Sequence, residues 1–285
     1  MILITGATGT IGSEVVRLLL ERGEPVRSLT RDPARAAGGE VVRADFDDPE
    51  SLRAAFDGVS TAFLATAFGP RLKEHDLAMV EAARLAGVKK VVKLSAIGTG
   101  DTEDPADIRA WHLAGERAIQ ESGMAWTMLR PAGFASNALA WAEAVRSGGQ
   151  VPNFTGDGAQ GVVDPRDVAA VAAEILTGAL TGTAHESRAY ALTGPELLSV
   201  PGQVAVVART VGRPVETLAV SIEDAAAGMR RSGAGEDLVA AVVAGWTMLR
   251  DEGYPVLTDT VQAVLGRPAT SFESWVQDHR AAFTE

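Results

Sequence analysis

The sequence predicts a doubly wound α/β fold, a parallel sheet covered by helices on both faces, with a smaller, mostly helical C-terminal lobe. Three observations carry that reading. Short apolar runs alternate with amphipathic stretches of helical length over the first two-thirds of the chain. The first run leads into a glycine-rich turn that opens a helix. After about residue 150 the alternation loosens and helical patterning takes over.

In chain order, ILIT (2–5) predicts a buried strand and Ile11 to Glu21 a helix closed by Gly23. PVRSLT (25–30) and EVVRAD (40–45) predict the next two strands. A helix over 48–58 follows, with Asp48 as its cap and Pro49 in its first turn. TAFLAT (61–66) is a fourth strand, 71–86 a helix and KKVVKLSA (89–96) a fifth strand. The helix carrying His112 is expected to open at Asp104-Pro105, ahead of a sixth strand over 125–132. Beyond these come a helix from Asp164-Pro165 to about Leu176, strands over 188–194 and 214–220, and helices ending near Phe283. Helices of this length between strands imply right-handed crossovers, hence a parallel sheet. Residues 1–150 are expected to form the nucleotide-binding domain, with 160–195 returning to it and 196–285 forming a smaller substrate lobe.

Composition narrows the function. The chain has 285 residues, 46% hydrophobic and 22% charged, and a formal net charge of −11. That balance argues against nucleic acid and anionic membrane surfaces, which would want a basic stripe. Without cysteine there is no disulfide, thiolate nucleophile or Cys-ligated metal, and four scattered histidines make no metal site. No stretch reaches the ~18–20 apolar residues that span a bilayer. The chain opens in a short apolar run with no basic segment before it. A soluble cytoplasmic protein is therefore expected; monomer and homodimer both stay open.

The turn TGATGTIG places Gly6, Gly9 and Gly12 between a strand and a helix. A residue without Cβ at Gly6 permits the tight turn, Gly9 allows close backbone approach to a diphosphate, and Gly12 lets the helix pack on the sheet. Amides of the loop and first turn, across Thr8, Thr10 and Ile11, then face the phosphates. Ligands of such sheets lie beyond the strands' carboxyl ends. Arg31, Thr66, Ala67, Ser95 and Pro131 all sit at or just past those ends and are expected to converge there with the turn.

The G-x-x-G-x-x-G spacing resembles the short-chain dehydrogenase/reductase superfamily. ADFDDPESLRAAFDGV and VEAARLAGVKKVVKLSAIG narrow the likeness to its atypical, NmrA-like branch, and VLGRPATSFESWVQDHRAAF near the C-terminus extends it to nearly the whole chain. The resemblance implies a Rossmann fold and either an NADPH quinone reductase or a redox-sensing regulator. It also implies an adenine-edge contact at Asp45 and Phe46. Where NAD-preferring sites place an acid, this chain has Arg31, which can pair with a 2′-phosphate. NADP(H) is therefore expected over NAD(H).

Most reductases of the superfamily carry Tyr-x-x-x-Lys on the helix after strand five; here the register reads His112-Leu-Ala-Gly-Glu116. His112 and Glu116, four apart on one helical face, are the candidate catalytic pair, with the carboxylate expected to raise the histidine's pKa. Phe68, Trp111, Phe134, Asn137 and Trp141 are the candidate substrate contacts, and Trp246 adds to the apolar set. The leading expectation is hydride transfer from NADP(H) to a quinone or similar conjugated acceptor. A non-catalytic NADP(H) sensor with a protein partner, and a tailoring enzyme for an aromatic natural product, stand beside it.

Overall fold

The computed structural model describes residues 1–104, 106–178 and 184–285. Its first elements follow the sequence pattern: β1 (Ile2–Ile4), α1 (Thr10–Glu21), β2 (Val26–Thr30), β3 (Glu40–Arg43), α2 (Pro49–Phe56), β4 (Thr61–Leu64), α3 (Leu72–Leu85) and β5 (Lys90–Leu94). The stretch around His112 is two helices, α4 (Ile108–Trp111) and α5 (Leu113–Glu121), broken at His112 itself. The expected opening at Pro105 lies outside the described residues. β6 (Ala125–Pro131), β7 (Gly133–Phe134), α6 (Ala142–Ser147), β8 (Gln150–Asn153), β9 (Gln160–Val163), α7 (Pro165–Gly178) and β10 (Arg188–Leu192) follow. The remainder comprises β11 (Leu197–Leu198), α8 (Val200–Val211), β12 (Glu216–Ala219), α9 (Ile222–Arg231) and α10 (Glu236–Glu252). The last helices are α11 (Thr260–Leu265), α12 (Phe272–Asp278) and α13 (Arg280–Thr284).

The chain forms two compact units. The first holds Met1–Glu103, Arg109–Pro131 and Arg166–Ala191; the second holds Asp104–Ile108, Ala132–Pro165 and Leu192–Glu285. The first unit leaves off at Pro131, where the sequence pattern placed that break near 150, and resumes at Arg166, while the second takes in Ala132–Pro165 as well as the C-terminal residues. Five residues of the expected returning segment, 179–183, lie outside the described residues.

In the first unit the strands run in the order β10-β6-β5-β4-β1-β2-β3, and the pairs from β6 through β3 are parallel. Strand order reverses between β1 and β4, the position at which such sheets open a crevice. Side chains alternate across the sheet. Leu3, Leu29 and Leu64 face a core built with Leu52, Phe56, Met79, Ala83 and Ile119 from α2, α3 and α5. Ile2 and Ile4 turn to the opposite face and are equally buried. Arg22 at the end of α1 donates to Glu174 (3.1 Å) and Thr177 (2.9 Å) of α7, which places those two helices side by side.

The second unit has its own core of Val145, Val151, Val204, Val207, Phe272, Trp275, Val276 and Phe283. It includes two small sheets, β11-β9-β7 and β12-β8, beside its helices. β8 and β9 lie in sequence that reads as turn-rich rather than as the apolar runs that mark β1 and β4, and β7 is only two residues long. No helix among the described residues is long and apolar enough to cross a membrane.

One close approach tests the packing of the first unit. A Cβ added at Gly115 of α5 would lie 2.5 Å from Asp76 Oδ2 and 2.8 Å from its Cβ, on α3. Asp76 is held by two partners and cannot yield. Gly115→Ala should gain about 1 kcal/mol of helix propensity but lose roughly 1–3 kcal/mol to overpacking, with further loss where the buried charge shifts. Net destabilisation is expected in chemical denaturation. Gly228→Ala in α9, where the added Cβ meets nothing closer than the tip of Arg231 at 3.7 Å, should leave stability unchanged or raise it.

Candidate active site

The turn after β1 is built for close contact. Gly6 has φ +61°, and a Cβ there would come within 3.2 Å of Ala65 Cβ, just past β4. A Cβ on Gly12 would lie 2.2 Å from the Gly6 carbonyl oxygen, so the first turn of α1 can press onto the loop only with glycine there. Fully buried Thr5 ties β1 to β4. Its hydroxyl donates to the Ala65 carbonyl at 3.1 Å and accepts from the Ala65 amide at 2.8 Å. Gly9 occupies the cap position with no side-chain hydrogen bond, and the first turn of α1 carries no acidic residue. The early amides of a helix lack intrahelical partners and carry partial positive charge. An uncapped helix start above a loop kept close by glycine at positions 6 and 12 fits the diphosphate of a dinucleotide.

At the end of β2, Arg31 is exposed, and its guanidinium makes no ion pair or hydrogen bond among the described residues. The neighbouring acid is occupied: Asp32 caps the turn Pro33–Arg35, accepting from the Ala34 amide at 3.2 Å. Asp45 accepts from the Asp47 amide at 3.2 Å, the ordinary turn role of an aspartate. Phe46 packs against the core and lies 5.4 Å from the His75 ring.

Past β4 and β5 lies a buried polar cluster that sequence reasoning missed. Lys93 and Asp76 have side chains 1% and 2% exposed and pair at 2.5 Å. Thr66 donates its hydroxyl to the other oxygen of Asp76 at 2.5 Å. Lys93 Nζ also lies 3.4 Å from His112 Nδ1, while Asp76 Oδ2 is 4.0 Å from that nitrogen. Signals for this cluster existed. Asp76 interrupts the apolar stripe Leu72–Met79–Val80–Ala83 of α3, and Lys93 interrupts a strand buried on both faces. A buried charge requires a partner, and here each is the other's.

Glu116 corrects the expected pairing. Its carboxylate is buried and accepts from Arg130 Nε at 3.0 Å and Nη2 at 2.5 Å, and from the Ser95 hydroxyl at 2.6 Å. Ser95 also lies 3.2 Å from the Thr99 hydroxyl. His112 and Glu116 are joined only by the backbone bond from the Glu116 amide to the His112 carbonyl. The sign of the histidine's shift is reversed accordingly. Burial holds the His112 pKa well below 6.5, and the Lys93 ammonium pushes it further down. His112 is therefore neutral at pH 7, where a raised pKa was expected.

Phe68, 52% exposed, stacks on Trp111 with ring centroids 5.4 Å apart and planes 19° apart. Ala67 beside it is exposed, and the carbonyl of buried Pro131 accepts from the Ile97 amide at 2.9 Å. In the second unit Phe134 lies half-buried in β7, Asn137 is exposed, and Trp141 packs against that unit's core. Trp246 packs against Phe154 with centroids 4.1 Å apart. No group of histidines and carboxylates among the described residues is arranged to hold a metal.

Comparison with known proteins gives concordant results. A family model described as NAD(P)H-binding matches residues 6–179. An NAD(P)H azoreductase of Xenophilus azovorans is 38% identical over 99% of both chains. Quinone oxidoreductase 2 of Escherichia coli is 29% identical over 95% of this chain and 96% of its own. The solved structure of the Escherichia coli NADPH-dependent quinone oxidoreductase complexed with NADPH superposes with a TM-score of 0.85, covering 99% of this chain and all of that one at 26% identity. A Citrobacter triphenylmethane reductase complexed with NADP(H) gives 0.82 at 25% identity, over 97% of this chain and 99% of that one.

The lowered pKa of His112 has a consequence for stability. Below about pH 6.5 the unfolded chain takes up a proton at this position that the folded chain refuses. The contribution is thus complete above that pH and is lost as pH falls toward the folded-state pKa. His112→Gln should flatten the decline of the thermal midpoint between pH 7 and about pH 5 relative to the parent. Parallel curves for the two proteins would show that His112 is not held neutral.

Proposed function

This chain belongs to the NAD(P)H-binding family, in its NmrA-like, atypical short-chain dehydrogenase/reductase branch, and on that premise we propose a cytoplasmic NADP(H)-dependent oxidoreductase that passes hydride to a quinone or similar conjugated aromatic acceptor. One observation carries the reading. A turn that needs glycine at positions 6 and 12 leads, through Gly6–Ala65, Thr66–Asp76 and Asp76–Lys93, to a largely buried neutral histidine within one compact unit. Gly6, Gly9, Gly12 and the amides of Thr8, Thr10 and Ile11 would hold the diphosphate, with Asp45 and Phe46 at the adenine end. Ala67 and Pro131 would border the nicotinamide. When bound, the cofactor supplies the hydride.

The protein's residues do the rest. His112 offers a hydrogen-bond donor to the acceptor atom that gains negative charge. Such an acceptor delocalises that charge itself, so it needs no strong acid. Phe68 stacked on Trp111 supplies a flat apolar surface for a planar ring. Glu116, closed by Arg130 and Ser95, acts by fixing α5 against β5 and β6. The azoreductase, quinone oxidoreductase and triphenylmethane reductase relatives support an aromatic acceptor. Preference for NADP(H) is supported by the unpaired guanidinium of Arg31, by the engagement of Asp32 in its own turn, and by NADPH-complexed relatives of the same fold.

Stopped-flow oxidation of NADPH against a panel of quinones and azo dyes tests the proposal. Acceptor-dependent turnover is expected, and tight NADPH binding with no turnover on any acceptor would point instead to a sensor. Arg31→Ala should weaken NADPH roughly 10- to 100-fold, the worth of a charge-assisted hydrogen bond, and leave NADH nearly unchanged. Equal losses for both would remove the 2′-phosphate assignment.

A further inference from the structure

We propose that Lys93 is a positioning residue that fixes the tautomer of His112, so that the ring presents Nε2–H as a neutral donor and draws its replacement proton from the Lys93 ammonium. The inference rests on the oxidoreductase reading for its use, but not for its geometry.

An ammonium group has donors and no acceptor. With Lys93 Nζ 3.4 Å from His112 Nδ1, that nitrogen must offer its lone pair. A proton on Nδ1 would point N–H at N–H. The carboxylate that could reward such a proton, Asp76, is 4.0 Å away, and its Oδ2 already takes Lys93 at 2.5 Å. On its own helix the only nearby acid, Glu116, is turned to Arg130 and Ser95. The remaining proton of a neutral imidazole therefore sits on Nε2. No described residue accepts from Nε2, and the side chain is 12% exposed, enough to meet a ligand edge.

This arrangement explains how a neutral histidine can still deliver a proton. Surrendered alone, the Nε2 proton would leave an imidazolate. With Lys93 behind the ring, the Nε2–H bond breaks toward the oxygen or nitrogen anion of the reduced acceptor. In the same event one Nζ–H bond breaks and an Nδ1–H bond forms. The ring ends neutral in its other tautomer, and Lys93 is left as an amine beside Asp76 until water restores its proton. The two electrons come from the hydride of the reduced nicotinamide, so the relay moves protons only.

Lys93→Met alone strands the Asp76 charge and endangers folding, so the decisive variant pairs Lys93→Met with Asp76→Leu, removing both charges together. Long-range proton–nitrogen NMR of the cofactor-free protein, with His112 assigned through His112→Gln, reads the tautomer directly. The parent should show a protonated Nε2 and a bare Nδ1 near pH 7. The double variant should show a mixture of tautomers, and its ring should take up a proton at higher pH than in the parent. In turnover with a quinone, kcat should fall about 10- to 100-fold, within the range for lost proton transfer, with the KM for NADPH little changed. A parent protein with Nδ1–H, or a double variant with an unaltered tautomer, overturns the proposal. Because the NMR needs neither cofactor nor acceptor, it stands apart from any failure to find turnover.

Discussion

The buried pair Asp76–Lys93 is the constraint around which the candidate site is arranged. Each charge is almost completely withdrawn from water, and removing one partner of such a pair typically costs about 3–5 kcal/mol. The cost binds three elements in one register. α3 must place Asp76 at the end of β5, α5 must come close enough that only Gly115 fits opposite the carboxylate, and Thr66 must turn inward after β4 to occupy the second oxygen. His112 is placed by this geometry, at the break between α4 and α5, with its Nδ1 against the lysine.

A second ion pair stands one helical turn further on, where buried Glu116 meets part-exposed Arg130 and the Ser95 hydroxyl. The two pairs share a strand-end neighbourhood but face apart. The ring nitrogen of His112 has Lys93 at 3.4 Å, and the carboxylate 4.0 Å from it, Asp76, is already engaged by that lysine. His112 keeps helical dihedrals and its carbonyl accepts from the Glu116 amide, so the two residues do lie one turn apart on the helix. They do not pair because Arg130 and Ser95 claim the carboxylate while Lys93 stands beside the ring.

Much of this was legible in the chain. The strand and helix order of the first unit followed from hydrophobic period, Asp48-Pro49 marked the start of α2, and the glycine spacing located the turn at the strand reversal. The apolar core emerged because a sheet buried on both faces demands continuous Val, Ile and Leu. What failed to emerge depended on partners distant in sequence. Lys93 and Asp76 are separated by seventeen positions, and Arg130 reaches back fourteen to Glu116. Local pattern can flag a charge in an apolar stripe but not name its partner. The short strands β7, β8 and β9 were hidden for the same reason, since their order comes from pairing with remote segments.

Electrostatics then separates the tasks of the first unit. Lys93 cancels Asp76, Arg130 cancels Glu116, and His112 is neutral, so the buried groups past β4 and β5 carry no net charge into the site. They can orient a proton without attracting or repelling an ionic ligand. Attraction of an anionic dinucleotide by a chain of net charge −11 must come from elsewhere. The uncapped start of α1, free of acids in its first turn, and the exposed guanidinium of Arg31 are the groups suited to it. Backbone amides act at contact distance and are weakly screened, whereas Arg31 stands in solvent and loses force with salt. Raising ionic strength should therefore erode the distinction between phosphorylated and plain dinucleotide before it erodes binding itself, because only the former distinction rests on an exposed charge.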